Sequence, residues 1–199
     1  MDDLASRVTR LQRAAWRLRA TSPVRCVLPF ALALMTDERR HLDLVSLIER
    51  LPAGPPVLVV FRHYGLAPED RRRLAEAAYA AARARGHLLV AAGGGGVGDG
   101  LAGDGAHNAA HPGLRTVSVH SGAEAMGKRG LRADLAFVSP VFGTRSHPGA
   151  RALGPVRAAA LARGLPMPAF ALGGMDESAA RRLEGTAFTG VGAIGAFGA

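Results

Sequence analysis

The 199 residues suit one domain, since a typical domain holds about 100–200, and 48% hydrophobic with 21% charged residues is a globular balance that excludes a disordered chain. The net charge of +9 is nearly all arginine, with Lys128 the only lysine, and aromatics are 5%; with no basic run interleaved with stacking rings, no nucleic-acid partner is expected. The lone Cys26 cannot form an internal disulfide, which argues for a reducing compartment, the cytoplasm, and against a secreted scaffold.

The chain opens with Arg7, Arg10, Arg13, Arg17 and Arg19 set between Leu4, Val8, Leu11, Ala15 and Leu18. That is a helical period with one apolar stripe, so residues 1–24 are expected to form a basic amphipathic helix packed on the domain that follows. Charges interrupt it too often for a signal peptide. Nowhere do about 18 apolar residues run together, so neither a membrane span nor a membrane partner is expected. Strands are expected at Phe30–Met35, Val57–Arg62, Leu88–Ala92, Asp104–His107, Thr116–His120, Leu135–Ser139, Ala169–Leu172 and Gly190–Ile194. Helices are expected at 38–51, 68–85, 121–130, 151–164 and 176–184. The first of these starts at the capping pair Thr36–Asp37. Pro68, with Glu69 and Asp70 behind it, is a clean helix start. Strand and helix in repeated alternation mean parallel pairing with right-handed crossovers. Eight strands in so few residues fit an α/β fold, a single small (β/α)₈ TIM barrel over residues 25–199 with the N-terminal helix added. An open doubly wound sheet is the competing arrangement.

Three stretches carry candidate chemistry. Gly93 to Gly98 formally satisfies G-x-G-x-x-G after a strand, but no helix follows and no acid stands about 20 residues on, so a loop is expected there rather than a dinucleotide fingerprint. Ala169 to Met175 is an apolar strand ending in paired glycines, with Asp176 placed to cap a helix. Gly190 to Gly195 is a second strand ending in glycine. Loops after the seventh and eighth strands of such barrels often hold phosphate on backbone N–H groups, and a Cβ there would keep the oxygens away. The bland alternative is two tight turns with no ligand. The segment Ser139 to Gly149 leaves the sixth strand at the same face, and its hydroxyls, Arg145 and His147 suit an anion-contacting lid or an ordinary polar loop. His120 ends the fifth strand, where barrel chemistry is done, and an imidazole can move a proton near neutral pH. The other histidines show no metal-ligand spacing, so no metal site is expected.

The order of these pieces from Asp104 to Phe197 resembles the thiamine phosphate synthase/TenI family. The matching segments are Asp104-Gly105-Ala106-His107, Ser118-Val119-His120-Ser121 with Glu124-Ala125, Ala133-Asp134, Pro140-Val141-Phe142, Thr144, Gly149 and Ala152-Leu153-Gly154. Leu172-Gly173-Gly174-Met175 and Gly190 to Ile194 close the series. The N-terminal half matches more loosely, through Leu34-Met35-Thr36-Asp37 and Arg62. In the synthases of that family a thiazole phosphate displaces pyrophosphate from an activated pyrimidine in the presence of Mg²⁺. The resemblance implies a thiazole phosphate, or a related small phosphorylated ligand, held by Gly173, Gly174, Ile194 and Gly195 and covered by Thr144 and Ser146. It also implies that Arg62 faces the diphosphate.

The chain departs from the synthases where the metal is held. They carry Asn-Asp after the third strand, where this chain has Ala92-Gly93, and a further acid after the fourth, where it has Asn108-Ala109-Ala110-His111. After the second strand their Gln-x-Arg-Glu-Lys is replaced by Val60-Phe61-Arg62-His63-Tyr64. Mg²⁺ prefers hard oxygen ligands, usually carboxylates plus substrate phosphates. The pattern resembles the TenI branch, associated with conversion of thiazole tautomers, a proton shift that needs no metal and for which His120 is the candidate acid/base. No cofactor is then expected. Mg²⁺ enters only if synthase activity survives with relocated ligands such as Asp99 or Asp104. A non-catalytic phosphate-ligand binder or regulator is the other alternative. The oligomeric state stays open; a homodimer is common for small barrels.

Overall fold

The computed structural model describes residues 3–93, 100–128, 132–144 and 151–198. Its eight strands are β1 (Leu32–Met35), β2 (Val57–Phe61), β3 (Leu88–Ala92), β4 (Gly105–His107), β5 (Leu114–Val119), β6 (Leu135–Val138), β7 (Ala169–Leu172) and β8 (Phe188–Ala193). Each runs parallel to the next, and β8 returns to β1 with Val191 opposite Leu32, so the sheet closes. That closure excludes the open sheet. The helices are α1 (Leu4–Thr21), α2 (Leu44–Glu49), α3 (Pro68–Ala84), α4 (Gly122–Gly127), α5 (Pro155–Arg163) and α6 (Glu177–Arg181).

Apart from β5, half of whose residues are only partly buried, the strands are buried along nearly their whole length because helices cover the outside while the barrel fills its own interior. Phe30, Met35, Val60, Val90, Phe137 and Phe170 belong to the inner cluster. Three of them stack up the axis edge to face, Phe30 to Phe170 and Phe170 to Phe137, each pair 5.9 Å between centroids. Burying one such ring contributes roughly 1.5–3 kcal/mol. The glycines of β8 make room for this column. A Cβ on Gly190 would stand 2.5 Å from the Phe170 ring, and one on Gly192 3.2 Å from Phe137. Those two glycines therefore serve packing, not a ligand.

The apolar stripe of α1 buries Val8, Leu11, Ala15 and Leu18, and the helix lies against β8, α6 and β1. Asp3 caps it, its Oδ1 accepting from the Ser6 N–H at 2.7 Å. No helix among the described residues is long and apolar enough to cross a membrane. Pro68 opens α3 at its first turn, as its sequence predicts. The helix expected over 38–51 is shorter. It begins at Leu44, capped by Asp43, whose Oδ1 accepts from the Ser46 N–H. Thr36 cannot serve as that cap because its hydroxyl is committed to the end of β2, and residues 38–43 instead form the loop that edges the barrel mouth.

Candidate functional site

All eight strands deliver their C-terminal ends to one face, and that face opens into a cavity of about 1090 Å³. Arg62, His120, Thr144, Gly173, Gly174, Ile194 and Gly195 all line it. Seven candidates scattered over more than 130 positions of sequence thus meet at one site, because a parallel barrel puts every strand-to-helix loop on the same rim. Ser146 lies outside the described residues, as do Arg145 and most of the glycine-rich stretch after β3.

The loop after β7 is built on two glycines of positive φ, +96° at Gly173 and +64° at Gly174. A Cβ on Gly174 would stand 2.6 Å from the Gly143 carbonyl oxygen, and one on Gly173 2.9 Å from Pro140. Close packing of the β6 loop on the β7 loop therefore requires glycine at both positions, independently of any ligand. Among the described residues, the backbone N–H groups of Gly174 and Gly195 find no acceptor. Two unengaged N–H groups on a cavity wall are the elements of an anion cradle. Asp176 caps α6, its Oδ1 accepting from the Ala179 N–H at 2.7 Å.

His120 follows β5. Its Nδ1 is 3.1 Å from the Ser139 carbonyl oxygen and 3.1 Å from the Ser139 hydroxyl. A carbonyl can only accept, so the network places a ring proton on Nδ1 and leaves Nε2 without a partner among the described residues. The His120 N–H donates to the Glu124 carboxylate at 3.1 Å, which anchors the start of the following helix.

Arg62 is oriented from the neighbouring strand. Its backbone N–H donates to the Thr36 hydroxyl at 2.8 Å and its Nε–H to the Thr36 carbonyl at 2.9 Å. The Thr36 hydroxyl is also hydrogen-bonded to His63 Nδ1, at 3.0 Å. These bonds leave both Nη groups of Arg62 without a protein partner among the described residues. Burial lowers the guanidinium from its ordinary value, yet a guanidinium stays charged at physiological pH.

Several cavity residues escape the sequence reading. His107, which ends β4 and carries no metal spacing, is buried beneath the mouth, with Nδ1 2.8 Å from Thr116 Oγ1 and Nε2 3.0 Å from Ser118 Oγ. Asn108 donates to His107 Nε2 at 3.1 Å, so that ring carries its proton on Nδ1. Burial pushes His107 down to about 3, helped by the positive charges of Arg62 and Lys128, and it is a neutral hydrogen-bonding group at any working pH. Arg39 and Arg40 also line the cavity. Their signal was an Arg-Arg pair just after a strand end, obscured because the expected helix put both on a solvated face. His41, buried behind them, folds the loop back by accepting from the Asp37 N–H at 3.0 Å.

The Mg²⁺ that the synthase resemblance implies does not fit these residues. Asp176 is the only carboxylate among the described wall residues, and one of its oxygens already caps α6. Of the two candidate relocated ligands, Asp99 lies outside the described residues and Asp104 sits at the opposite end of β4. There its Oδ2 accepts from the Leu89 N–H at 2.9 Å, and its Oδ1 meets the Tyr79 hydroxyl and Arg83. Among the described residues no three His, Cys, Asp or Glu side chains gather as a metal-holding group.

Comparison with curated proteins finds no match. Among solved structures, thiamine phosphate pyrophosphorylase from Pyrococcus furiosus superposes with a TM-score of 0.66 at 20% identity, covering 82% of this chain and 85% of that one. This likeness supports the barrel fold. The family model described as thiamine monophosphate synthase matches residues 32–197, from the first residue of β1 to beyond the end of β8. The chain belongs to the thiamine monophosphate synthase (TMP-TENI) family.

Proposed function

We propose that this protein binds a phosphorylated thiazole in the cavity at the barrel mouth and interconverts its tautomers, with His120 moving the proton. The phosphate rests on the N–H groups of the β7 and β8 loops, with Thr144 beside it. His120 Nε2 removes a proton from one ring position, and the resulting imidazolium returns it to another, so no atom is gained or lost. Arg62 supplies positive charge that favours the anionic form present between the two transfers.

The observation that carries this reading is the His120–Ser139 pairing. It holds an imidazole at the cavity wall with Nδ1 against Ser139, leaving Nε2 without a protein partner among the described residues.

The test mixes the purified protein with a carboxylated thiazole phosphate and follows the ratio of its tautomers by proton NMR, with His120→Ala alongside. General acid–base catalysis contributes roughly 10²–10⁴-fold, so conversion in the variant is expected to fall by about that factor while binding persists. Equal conversion by both proteins would remove His120 from the mechanism. Binding without conversion by either would leave a ligand binder.

A further inference from the structure

We propose that His41 is a positioning residue, a proton-sensitive latch that holds the loop after β1 beside the β8 loop only while its ring is neutral. Protonation frees the loop, and the cavity then loses its grip on a phosphate. This coupling to a ligand rests on the phosphate-binding reading, whereas the latch itself does not.

Hydrogen-bond chemistry makes the ring a latch. His41 is 4% exposed. Its Nδ1 accepts from the Asp37 N–H at 3.0 Å, and its own backbone N–H donates to the Asp37 carbonyl at 2.9 Å. A backbone N–H can only donate, so Nδ1 carries no proton and the neutral ring has its proton on Nε2. An imidazolium carries protons on both nitrogens. It sets Nδ1–H against the Asp37 N–H, donor against donor, and the turn from Asp37 to His41 loses a closing bond.

The ring stands between two stretches of cavity wall. Arg39 and Arg40 precede it on the β1 loop, and Ile194, Gly195 and Gly198 line the wall beyond β8. Nε2 faces the second stretch. A Cβ on Gly198 would stand 4.0 Å from it, and the Ile194 carbonyl lies near enough to favour its protonation. Yet Nε2 forms no hydrogen bond among the described residues. A buried polar group without a partner is uncommon, and this one abuts the loop that brings the Gly195 N–H to the cradle. Packing of a neutral ring therefore spaces the two loops, and Nδ1 decides whether the ring can stay.

The surrounding charges set the direction. The Asp37 carboxylate on its own loop and the Ile194 carbonyl favour a charged ring, while His63 and Arg62 at the end of β2 oppose it. Arg7 of α1 brings a further positive charge nearby, its Nη2 donating to the Gly198 carbonyl at 2.9 Å. Burial opposes the charge most strongly and holds the ring below the ordinary histidine value. The latch is thus closed at neutral pH and opens as pH falls below the ordinary histidine range. His87 supplies an internal control. It is buried with the same wiring, Nδ1 accepting from the Val57 N–H at 3.3 Å and Nε2 unpartnered, but it precedes β3 at the opposite end of the barrel.

The experiment measures amide hydrogen exchange on the full chain between about pH 7.5 and about pH 4.5, corrected for intrinsic rates, beside His41→Asn and His87→Asn. An asparagine Oδ1 can accept from the Asp37 N–H in place of Nδ1 but takes up no proton. In the natural chain and in His87→Asn, protection of the Asp37, Arg40 and His41 amides is expected to fall by up to about tenfold per pH unit once the ring titrates. In His41→Asn it is expected to stay level. Calorimetry with inorganic phosphate over the same range reads the coupling. The titration of phosphate is common to all three proteins, so the affinity of the natural chain relative to His41→Asn isolates the latch and is expected to fall in step with the loop. NMR on the natural chain needs no variant: the His41 ring and the Asp37 amide are expected to shift with one shared midpoint. Parallel exchange profiles for the natural chain and His41→Asn, or separate NMR midpoints, overturn the latch. Acid opening with a constant affinity ratio overturns its coupling to the ligand. Opening of the loop in a protein that binds phosphate at no pH leaves the latch standing and removes the phosphate-binding reading.

Discussion

The floor and the mouth of this barrel both hold arginine and use it in opposite ways. At the floor, Arg19 reaches from α1 beneath the barrel. Its Nε–H donates to the Thr189 carbonyl at 2.9 Å, Nη1 to the Leu28 carbonyl at 2.6 Å and Nη2 to the Phe30 carbonyl. Its guanidinium carbon lies 4.6 Å from the Trp16 ring centre and 5.8 Å from that of Phe170. Burial lowers it from its ordinary value, but every edge of the guanidinium is engaged. At the mouth, Arg39 and Arg40 are exposed and their side chains find no partner among the described residues, while the guanidinium of Arg62 is held there by its Nε edge alone. Saturated arginine closes a structure, whereas unsaturated arginine on a cavity wall is available to a ligand.

The strongest way to break this comparison is to exchange the two kinds. Arg19→Met strips three carbonyls of charge-assisted partners and is expected to cost about 3 kcal/mol or more in denaturant unfolding. Arg39→Met is expected to change ligand-free stability by less than about 0.5 kcal/mol, as for a surface position without partners. Comparable losses in both would show that the mouth arginines are structural.

A smaller effect separates backbone strain from ligand contact. Gly174→Ala meets the Gly143 carbonyl at 2.6 Å and also strains a positive φ, so a loss of about 2 kcal/mol is expected together with weakened phosphate binding. Gly185 has a φ of +76° with open space around a Cβ, so Gly185→Ala carries the strain alone. It is expected to cost about 1 kcal/mol and leave binding intact. Equal binding by both variants would detach the β7 glycine from the ligand.

The mildest test concerns His107. Its folded value is depressed to about 3, so as pH falls below the ordinary histidine range the unfolded chain takes up a proton that the folded protein refuses. Stability contributed by this neutral imidazole is complete above about pH 6.5 and declines between there and about 3, at up to about 1.4 kcal/mol per pH unit. His107→Asn, measured by denaturant unfolding across pH 7 to 5, is expected to show a shallower decline than the natural chain. An identical slope would mean that His107 is protonated in the folded state.

Much of this was legible in the sequence because it is periodic or local. Short apolar runs separated by amphipathic stretches specify eight strands, and their alternation with helices specifies parallel pairing, but the closed barrel rather than an open sheet is decided by the pairing of β8 with β1. The cap at Asp176, the start at Pro68 and the stripe of α1 depend on neighbours a few residues apart. The glycine pair after β7 stands out in the sequence because few other residues tolerate the positive φ of Gly173 and Gly174. What the tertiary structure alone decided is where distant side chains meet and which are already engaged. Thr36 and Asp37 have the chemistry of helix caps, but Thr36 holds Arg62 instead. Arg19 and Arg39 are the same residue type, and only the fold gives the first its carbonyl partners at Leu28, Phe30 and Thr189. The glycines from 190 to 195 look alike, yet Gly190 and Gly192 in β8 clear space for aromatic rings while Gly195, beyond its end, borders the cavity. Engagement depends on three-dimensional neighbours contributed by residues as much as 170 positions away, and no local pattern records them.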